Sequence, residues 1–415
     1  MNRQRLVIVL LALVSLVVVL STPSFAVPVF ARKYGVQCTM CHSAVPRLND
    51  FGSRFRQNGY QLPGRENEER TVLQGPAPFA ARVSARWNVR NYTDVPAAIA
   101  VPPTDVNQLQ LNGLDLLSAG VLAKNIGYFA VYVPEIKEKS GVVGQEGTLE
   151  MANVVFSNIG TSWFNVRAGR MEPAYVAISV KRRLSFTSYA IYDYAFPGGL
   201  ALSDTQTGLE VYGQTRRPES GFALGYAAGY MNGAGTNQDD SPADIYGRAY
   251  VVIGAGEGQT AGQRIGLVAY QGKARPTQGD RACFTRYGLD ASLNVKQWNL
   301  ALQYLRGTDS KELWNATRDG TFSGGFAELS WQPMTRLVAF ARYDLVNIPD
   351  FMDSDLNPPD PNVTYPTGFT IGARYYMVDQ LALHGEYTSR TLDFSGSSLP
   401  DEKETFYTLS IDFSF

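Results

Sequence analysis

The chain of 415 residues carries 37 Lys and Arg against 38 Asp and Glu, a formal net charge of −1, and has no dense basic block, so nothing in its charge points to nucleic acid. Apolar residues, Tyr and Cys included, make up 45% of it, yet beyond the first 20 positions no apolar run is long enough for a spanning helix, which argues against a helical inner-membrane protein. Three Cys cannot build a disulfide framework, whereas 39 Gly, 23 Tyr and 21 Phe suit many short strands with aromatic residues at an interface.

The first element is an export signal. Asn2-Arg3-Gln4-Arg5 is a basic start, residues 6–20 are apolar apart from Ser15, and Ser24-Phe25-Ala26 supplies the small residues of a cleavage site. We read residues 1–26 as a signal peptide and Val27 as the first mature residue. An uncleaved anchor is the competing reading, but the run is short for a bilayer and the cleavage site follows it directly.

Next comes Cys38-Thr39-Met40-Cys41-His42. Two thiols two residues apart with His directly after are what covalent haem attachment needs: the thiols form thioethers to the vinyl groups and the imidazole meets the iron. Cys38 and Cys41 are thus the candidate attachment sites for one haem c, and His42 the candidate proximal iron ligand. A redox dithiol or a disulfide is the plainer reading of CxxC, and zinc is weaker, since the only other His is His384. Leu48, Phe51 and Phe55 recur at helical spacing and predict a short amphipathic helix laid on the porphyrin. Residues 27–78 are too few to shelter a haem alone, so this segment is expected to fold back into whatever the rest of the chain builds.

From residue 79 to 415 the period is two. Ala81, Val83, Ala85, Trp87 and Val89 alternate with Arg82, Ser84, Arg86, Asn88 and Arg90, and the last strand sets Tyr407, Leu409, Ile411, Phe413 and Phe415 against Thr408, Ser410, Asp412 and Ser414. Tight turns fall near 123–125, 159–162, 216–220, 294–297, 332–336 and 378–380. Long polar loops fall near 93–104, 172–205, 232–244, 271–282, 307–321, 347–364 and 395–403. This alternation predicts an all-β fold, a transmembrane antiparallel β-barrel of about 16 strands in the bacterial outer membrane, with both termini periplasmic and the long loops outside. A soluble sandwich or propeller would also show short strands, but no internal repeat is visible and the loop alternation would have no cause.

Other candidates are less specific. In the strand near 381–388, Leu381, Leu383 and Tyr387 take the lipid face, which puts His384 and Glu386 in the lumen. His384 is a possible distal iron ligand, though a polar wall residue is the commoner reason for such a position. Met151, Met171, Met231, Met334, Met352 and Met377 are further candidates, while Met40 lies between the cysteines and is a poor one. Arg82, Arg86 and Arg90 form a basic stripe that either pairs with haem propionates or is an ordinary arginine ladder. Asp239, Asp240 and Asp244, and Asp350, Asp353, Asp355 and Asp360, supply hard oxygen donors in two loops, where solvation is the usual role. Cys283 has no partner in the chain and is assigned no role.

The Phe30-Ala31-Arg32 lead into CxxCH, the Pro46-x-Leu48 and Phe51-Gly52-x-x-Phe55 that follow, and a barrel for the remainder together resemble the fused monohaem cytochrome-porins of bacterial outer membranes. The distinctive residues lie between 28 and 60. The resemblance implies a redox protein of the iron-oxidase type: an extracellular donor such as Fe(II), or another donor or acceptor, exchanges electrons through one haem with a periplasmic cytochrome or copper protein. The lead-in here continues Lys33-Tyr34-Gly35, where iron-oxidase members read closer to Gln-Thr-Gly, so the donor stays open. Two readings from other classes stand beside it: a diffusion porin with a haem-bearing plug, and a module that displays haem to a protein partner.

Overall fold

A computed structural model describes residues 29–66, 71–74, 78–95, 105–137, 143–145, 147–194, 201–215, 221–233, 244–254, 262–274, 282–311, 317–348, 364–394 and 401–414. The predicted signal peptide, Met352, and all the candidate loop aspartates except Asp244 lie outside the described residues.

Sixteen strands close into one antiparallel barrel. In chain order they are β1 (Phe79–Thr93), β2 (Val106–Ala123), β3 (Ile126–Val133), β4 (Thr148–Phe156), β5 (Asn165–Met171), β6 (Gln206–Gln214), β7 (Phe222–Met231) and β8 (Asp244–Ile253). The second half is β9 (Gln263–Ala274), β10 (Ala282–Val295), β11 (Trp298–Asp309), β12 (Gly320–Met334), β13 (Leu337–Asn347), β14 (Thr364–Val378), β15 (Leu381–Phe394) and β16 (Glu402–Ser414). Every neighbour in sequence is a neighbour in the sheet, and β16 closes the ring on β1, with Ile411 opposite Ala85 and Leu409 opposite Trp87. Two connections that the sequence reading does not pick out, 134–147 and 254–262, complete the count.

The strands are long because the period-two pattern has two different solvents to satisfy. Leu209, Leu267, Leu289, Leu345 and Leu409 stand exposed on the outside. Their alternating neighbours Glu210, Asp290, Asp344 and Ser410 are buried inside, so a one-residue register slip would exchange the two sets and is strongly disfavoured. Trp298 and Trp331, paired across β11 and β12 with ring centroids 5.5 Å apart, stand exposed at the end of the barrel where the short turns lie. Exposed Tyr230, Tyr287 and Tyr343 lie toward the other end. An apolar outer belt with aromatic residues at both rims is the surface a barrel presents to lipid.

The lumen is filled from both ends. At the turn-side mouth, helix α1 (Val29–Tyr34), a ribbon of His42–Ala44 with Arg47–Leu48, and helix α2 (Asp50–Gln57) form a plug. Phe55 and Tyr60 enter the barrel's main apolar cluster, and the plug's own rings pack there too: Phe30 meets Phe55 at 5.0 Å and Tyr60 at 5.1 Å, and Tyr60 stacks on wall residue Phe129 at 5.8 Å. Phe55, expected on a porphyrin, is thus spent on the barrel core.

The segment 172–194, expected as part of an external loop, folds into the lumen instead. Tyr175, Val176, Val180, Tyr189, Ile191 and Tyr192 bury in the same cluster as the plug, which is why a polar-loop reading fails for it. It crosses from wall to wall. The Ala177 amide donates to Asp290 (2.9 Å), those of Phe186 and Thr187 to Glu386 (2.7 and 2.9 Å), and that of Ala190, which opens helix α3 (Ala190–Asp193), to Asp344 (3.2 Å).

Candidate functional site

The site begins at the loop Cys38–Cys41 on the turn-side mouth. Asn49 caps α2, its side-chain oxygen accepting from the Gly52 amide at 2.9 Å, and its amide nitrogen donates back to the Met40 carbonyl at 3.0 Å. The Asn49 backbone amide also donates to the Cys41 carbonyl, at 3.0 Å. Helix and loop meet so closely that a Cβ on Gly52 would lie 2.1 Å from that carbonyl oxygen, so only glycine fits. Asn49 is a positioning residue that the sequence alone did not single out, and Gly52, part of the Phe51-Gly52-x-x-Phe55 pattern, gains a positioning role here. The legible signal was Asn-Asp ahead of an amphipathic run, an N-cap signature.

Cys38 and Cys41 are both free thiols and half-buried. Burial, with Asp379 nearby, pushes the Cys38 thiol up, and burial together with Cys38 pushes Cys41 up to about 11. Both therefore stay protonated at neutral pH. His42 Nδ1 lies 3.1 Å from the Pro46 carbonyl oxygen. A carbonyl only accepts, so Nδ1 carries the proton and Nε2 keeps its lone pair, the arrangement that prepares a histidine for a metal. Burial lowers the His42 pKa and holds the ring neutral, opposed by backbone contacts with Pro46 and Arg47.

Two unlinked thiols and a neutral imidazole whose Nε2 keeps its lone pair fit covalent haem: Cys38 and Cys41 would hold it and His42 would face its iron. Bound there, the group would supply one-electron chemistry. Among the described residues no cluster of three or more His, Cys, Asp or Glu is placed to hold a metal ion without it.

His384 is in the lumen as the strand pattern predicts, fully buried, but its surroundings are of another kind. Arg374 donates to His384 Nδ1 from Nε (3.2 Å) and Nη2 (3.0 Å), and His384 Nε2 lies 3.4 Å from Glu386 Oε2. A guanidinium cannot accept, so here Nδ1 holds the lone pair and Nε2 carries the proton, buried near Glu386 but without a hydrogen-bond partner. Phe186 covers the ring at 4.3 Å. Nδ1 is thus committed to Arg374 within the wall, and the ring bridges β14 and β15.

The three arginines of the stripe and Asp244 have partners within the barrel. Arg82 pairs with Asp115 at 2.6 Å, Arg86 sits 3.9 Å over Phe186, and Arg90 sits 4.2 Å over Phe406. Asp244 is buried and accepts from Tyr270 Oη and the Lys273 amide. Met151, Met171 and Met231 lie toward the long-loop end of the barrel, away from the cysteines, and Met334 is exposed. Met377 is the last residue but one of β14, at the plugged mouth, next to Tyr376, whose hydroxyl donates to the Val45 carbonyl at 3.2 Å. Cys283 is exposed at the loop end.

Plug and wall are joined by buried polar contacts. Arg47 donates to Asn299 and to Glu328, both side chains buried. Arg264 donates to Ser53 (2.7 Å) and Asp50 (3.3 Å), Gln57 to Tyr250 Oη (3.0 Å), and Tyr212 Oη to the Gln57 carbonyl (2.9 Å). At the other edge Gln61 spans Ser157 Oγ (3.2 Å) and the Asn125 amide (3.0 Å). The lumen-wall charges Asp290, Glu328 and Arg342 are essentially inaccessible to solvent, unlike the walls of an open aqueous pore.

No family model matches the chain, and no curated protein matches it in sequence. Solved structures do match in fold. The anion-selective porin from Comamonas acidovorans is 16% identical with a TM-score of 0.51, over 81% of this chain and 98% of that one. The outer membrane channel DcaP of Acinetobacter baumannii is 10% identical with a TM-score of 0.55, over 81% and 96%. Salmonella typhi OmpF, solved in complex with daunomycin, is 12% identical with a TM-score of 0.53, over 81% and 97%. At these identities the likeness is one of fold: this chain is a porin-like β-barrel.

Proposed function

We propose that the chain is a porin-type barrel of the bacterial outer membrane whose periplasmic mouth is stoppered by its own haem-bearing N-terminal plug. The observation that carries this is the seal itself: the buried ion pair between Arg47 and Glu328 ties plug to wall while wall charges within the lumen are shut off from water. Passage of small solutes requires the plug and the inserted segment 172–194 to move. In planar lipid bilayers the intact protein should pass little ion current, and a variant lacking the plug's anchor should open more often. A large, steady conductance from the intact protein would overturn the stopper.

A second reading, an electron conduit, is favoured by the His42–Pro46 contact, which leaves Nε2 ready for iron. Its geometry restricts the route. The cysteines lie beside the short turn that carries Asp379, at the mouth assigned to the periplasm. An apolar band of about 25 Å then separates a single haem from an external donor. We therefore assign its electron exchange to a periplasmic carrier, with extracellular Fe(II) as a donor only if a second carrier bridges that distance. A reduced absorption spectrum typical of haem c, lost in Cys38→Ala with Cys41→Ala, is the expected result. Colourless protein from a host that matures c-type cytochromes would remove this reading and leave the stoppered barrel.

A further inference from the structure

The two mouths differ in charge. Around the plugged mouth Arg54, Arg56, Arg65, Lys124, Lys296 and Arg336 are all exposed. Lys33 adds a further cation, its ammonium 4.8 Å over the Tyr34 ring. Among the described residues the carboxylates of this face are few. Asp379 is exposed, Glu66 accepts from Asn58 and Gly64, and Asp50 is buried against Arg54 and Arg264. The opposite mouth mixes signs, with exposed Asp94, Asp105 and Asp319 beside Lys311, Arg318 and Lys403. Among its described residues, a chain whose net charge is −1 thus gathers a basic collar at one end.

Within that collar the loop bearing the cysteines offers an apolar point: Met40, between Cys38 and Cys41, is 41% exposed. An apolar contact on a face where one sign of charge predominates, with Asp379 the exposed exception beside Cys38, is how a surface steers and orients a partner of the opposite sign. We infer that the turn-side mouth is a docking surface for a soluble redox protein with an acidic face, seated over Met40. The inference rests on the haem-bearing plug proposed above. Anionic lipid is the rival occupant, and position decides between them. Lys124, Lys296 and Arg336 sit on turns at the rim, where headgroups reach, but Arg54 and Arg56 lie on α2 of the plug, which Arg264 and Tyr250 tie to the inside of the wall.

The test uses the full-length protein in nanodiscs of zwitterionic lipid, with an acidic blue-copper protein and a basic cytochrome c as probes. Binding of the acidic probe should weaken at least tenfold between low and physiological salt, and about tenfold again in Arg56→Glu with Lys124→Glu and Lys296→Glu. Lys311→Glu at the other mouth should leave it unchanged, and the basic probe should not bind. Equal binding of both probes, indifference to salt, or an effect of charge reversal seen only with anionic nanodiscs would overturn the docking surface. Binding read by scattering does not need haem, so colourless protein that still binds the acidic probe sinks the haem reading and keeps the surface. Haem-loaded protein that fails to bind does the reverse.

Discussion

His42 and His384 are the only imidazoles in the chain, and their partners give them opposite protonation patterns. His42→Ala should therefore abolish the haem spectrum or convert it to a high-spin form, whereas His384→Ala should leave the spectrum intact and lower the melting temperature, because buried Glu386 and Arg374 lose their bridge. Absorption spectroscopy and thermal unfolding separate the two effects, and a spectral change in His384→Ala would show that it reaches the iron after all. The thiols offer a second check. A pKa raised to about 11 means Cys41 gains its reactive thiolate only at high pH, leaving about a thousandth of it ionised at pH 8. In haem-free protein at that pH iodoacetamide should label exposed Cys283 first, by mass spectrometry. Faster labelling of Cys41 would contradict its buried setting. At this scale CxxCH was legible because its chemistry is local. The Pro46 acceptor was not, because it arises from a ribbon turn, and the Arg374 donor was not, because it needs the β14–β15 register.

The plug is held by shape as well as charge. Gly127 on β3 packs against Gly59 so tightly that a Cβ on it would come within 2.1 Å of the Gly59 carbonyl oxygen. Gly127→Ala should leave the barrel formed and displace the plug edge, seen as faster proteolysis of residues 29–66; unchanged proteolysis would mean the edge is not seated there. Arg47→Ala leaves buried Glu328 with Arg342 alone, 3.9 Å away, and should cost up to about 3–5 kcal/mol, the range for a broken buried pair. Glu328→Gln with Arg47→Met should recover much of that, and recovery of none would show that the pair is not the anchor. Strand parity and the tight turns at 124–125, 296–297, 335–336 and 379–380 were readable because alternation and turn chemistry are local. The inward course of 172–194 was not. Its apolar content, Tyr175, Val176, Val180, Leu184, Tyr189 and Ile191, was the overlooked sign that a segment this greasy does not stay in water.

For the whole molecule, a closed ring with an apolar exterior and a filled interior separates two properties that are usually found together in porin-like folds, the barrel and the open pore. Extraction should need detergent, and the barrel should keep its strand signal in circular dichroism after the plug is dislodged. The central claim is that residues 29–66 lie inside the turn-side mouth, and a designed cross-link tests it most directly. Gln61 Nε2 and Ser157 Oγ are 3.2 Å apart, so the thiols of Gln61→Cys with Ser157→Cys, in a background of Cys38→Ala, Cys41→Ala and Cys283→Ser, should be joined by a short bifunctional thiol reagent that spans the shortened side chain, found as one plug-to-barrel peptide by mass spectrometry. Efficient formation of that peptide in membranes is the predicted result; a barrel in which each thiol reacts singly with the reagent and the two are never joined would contradict the plug.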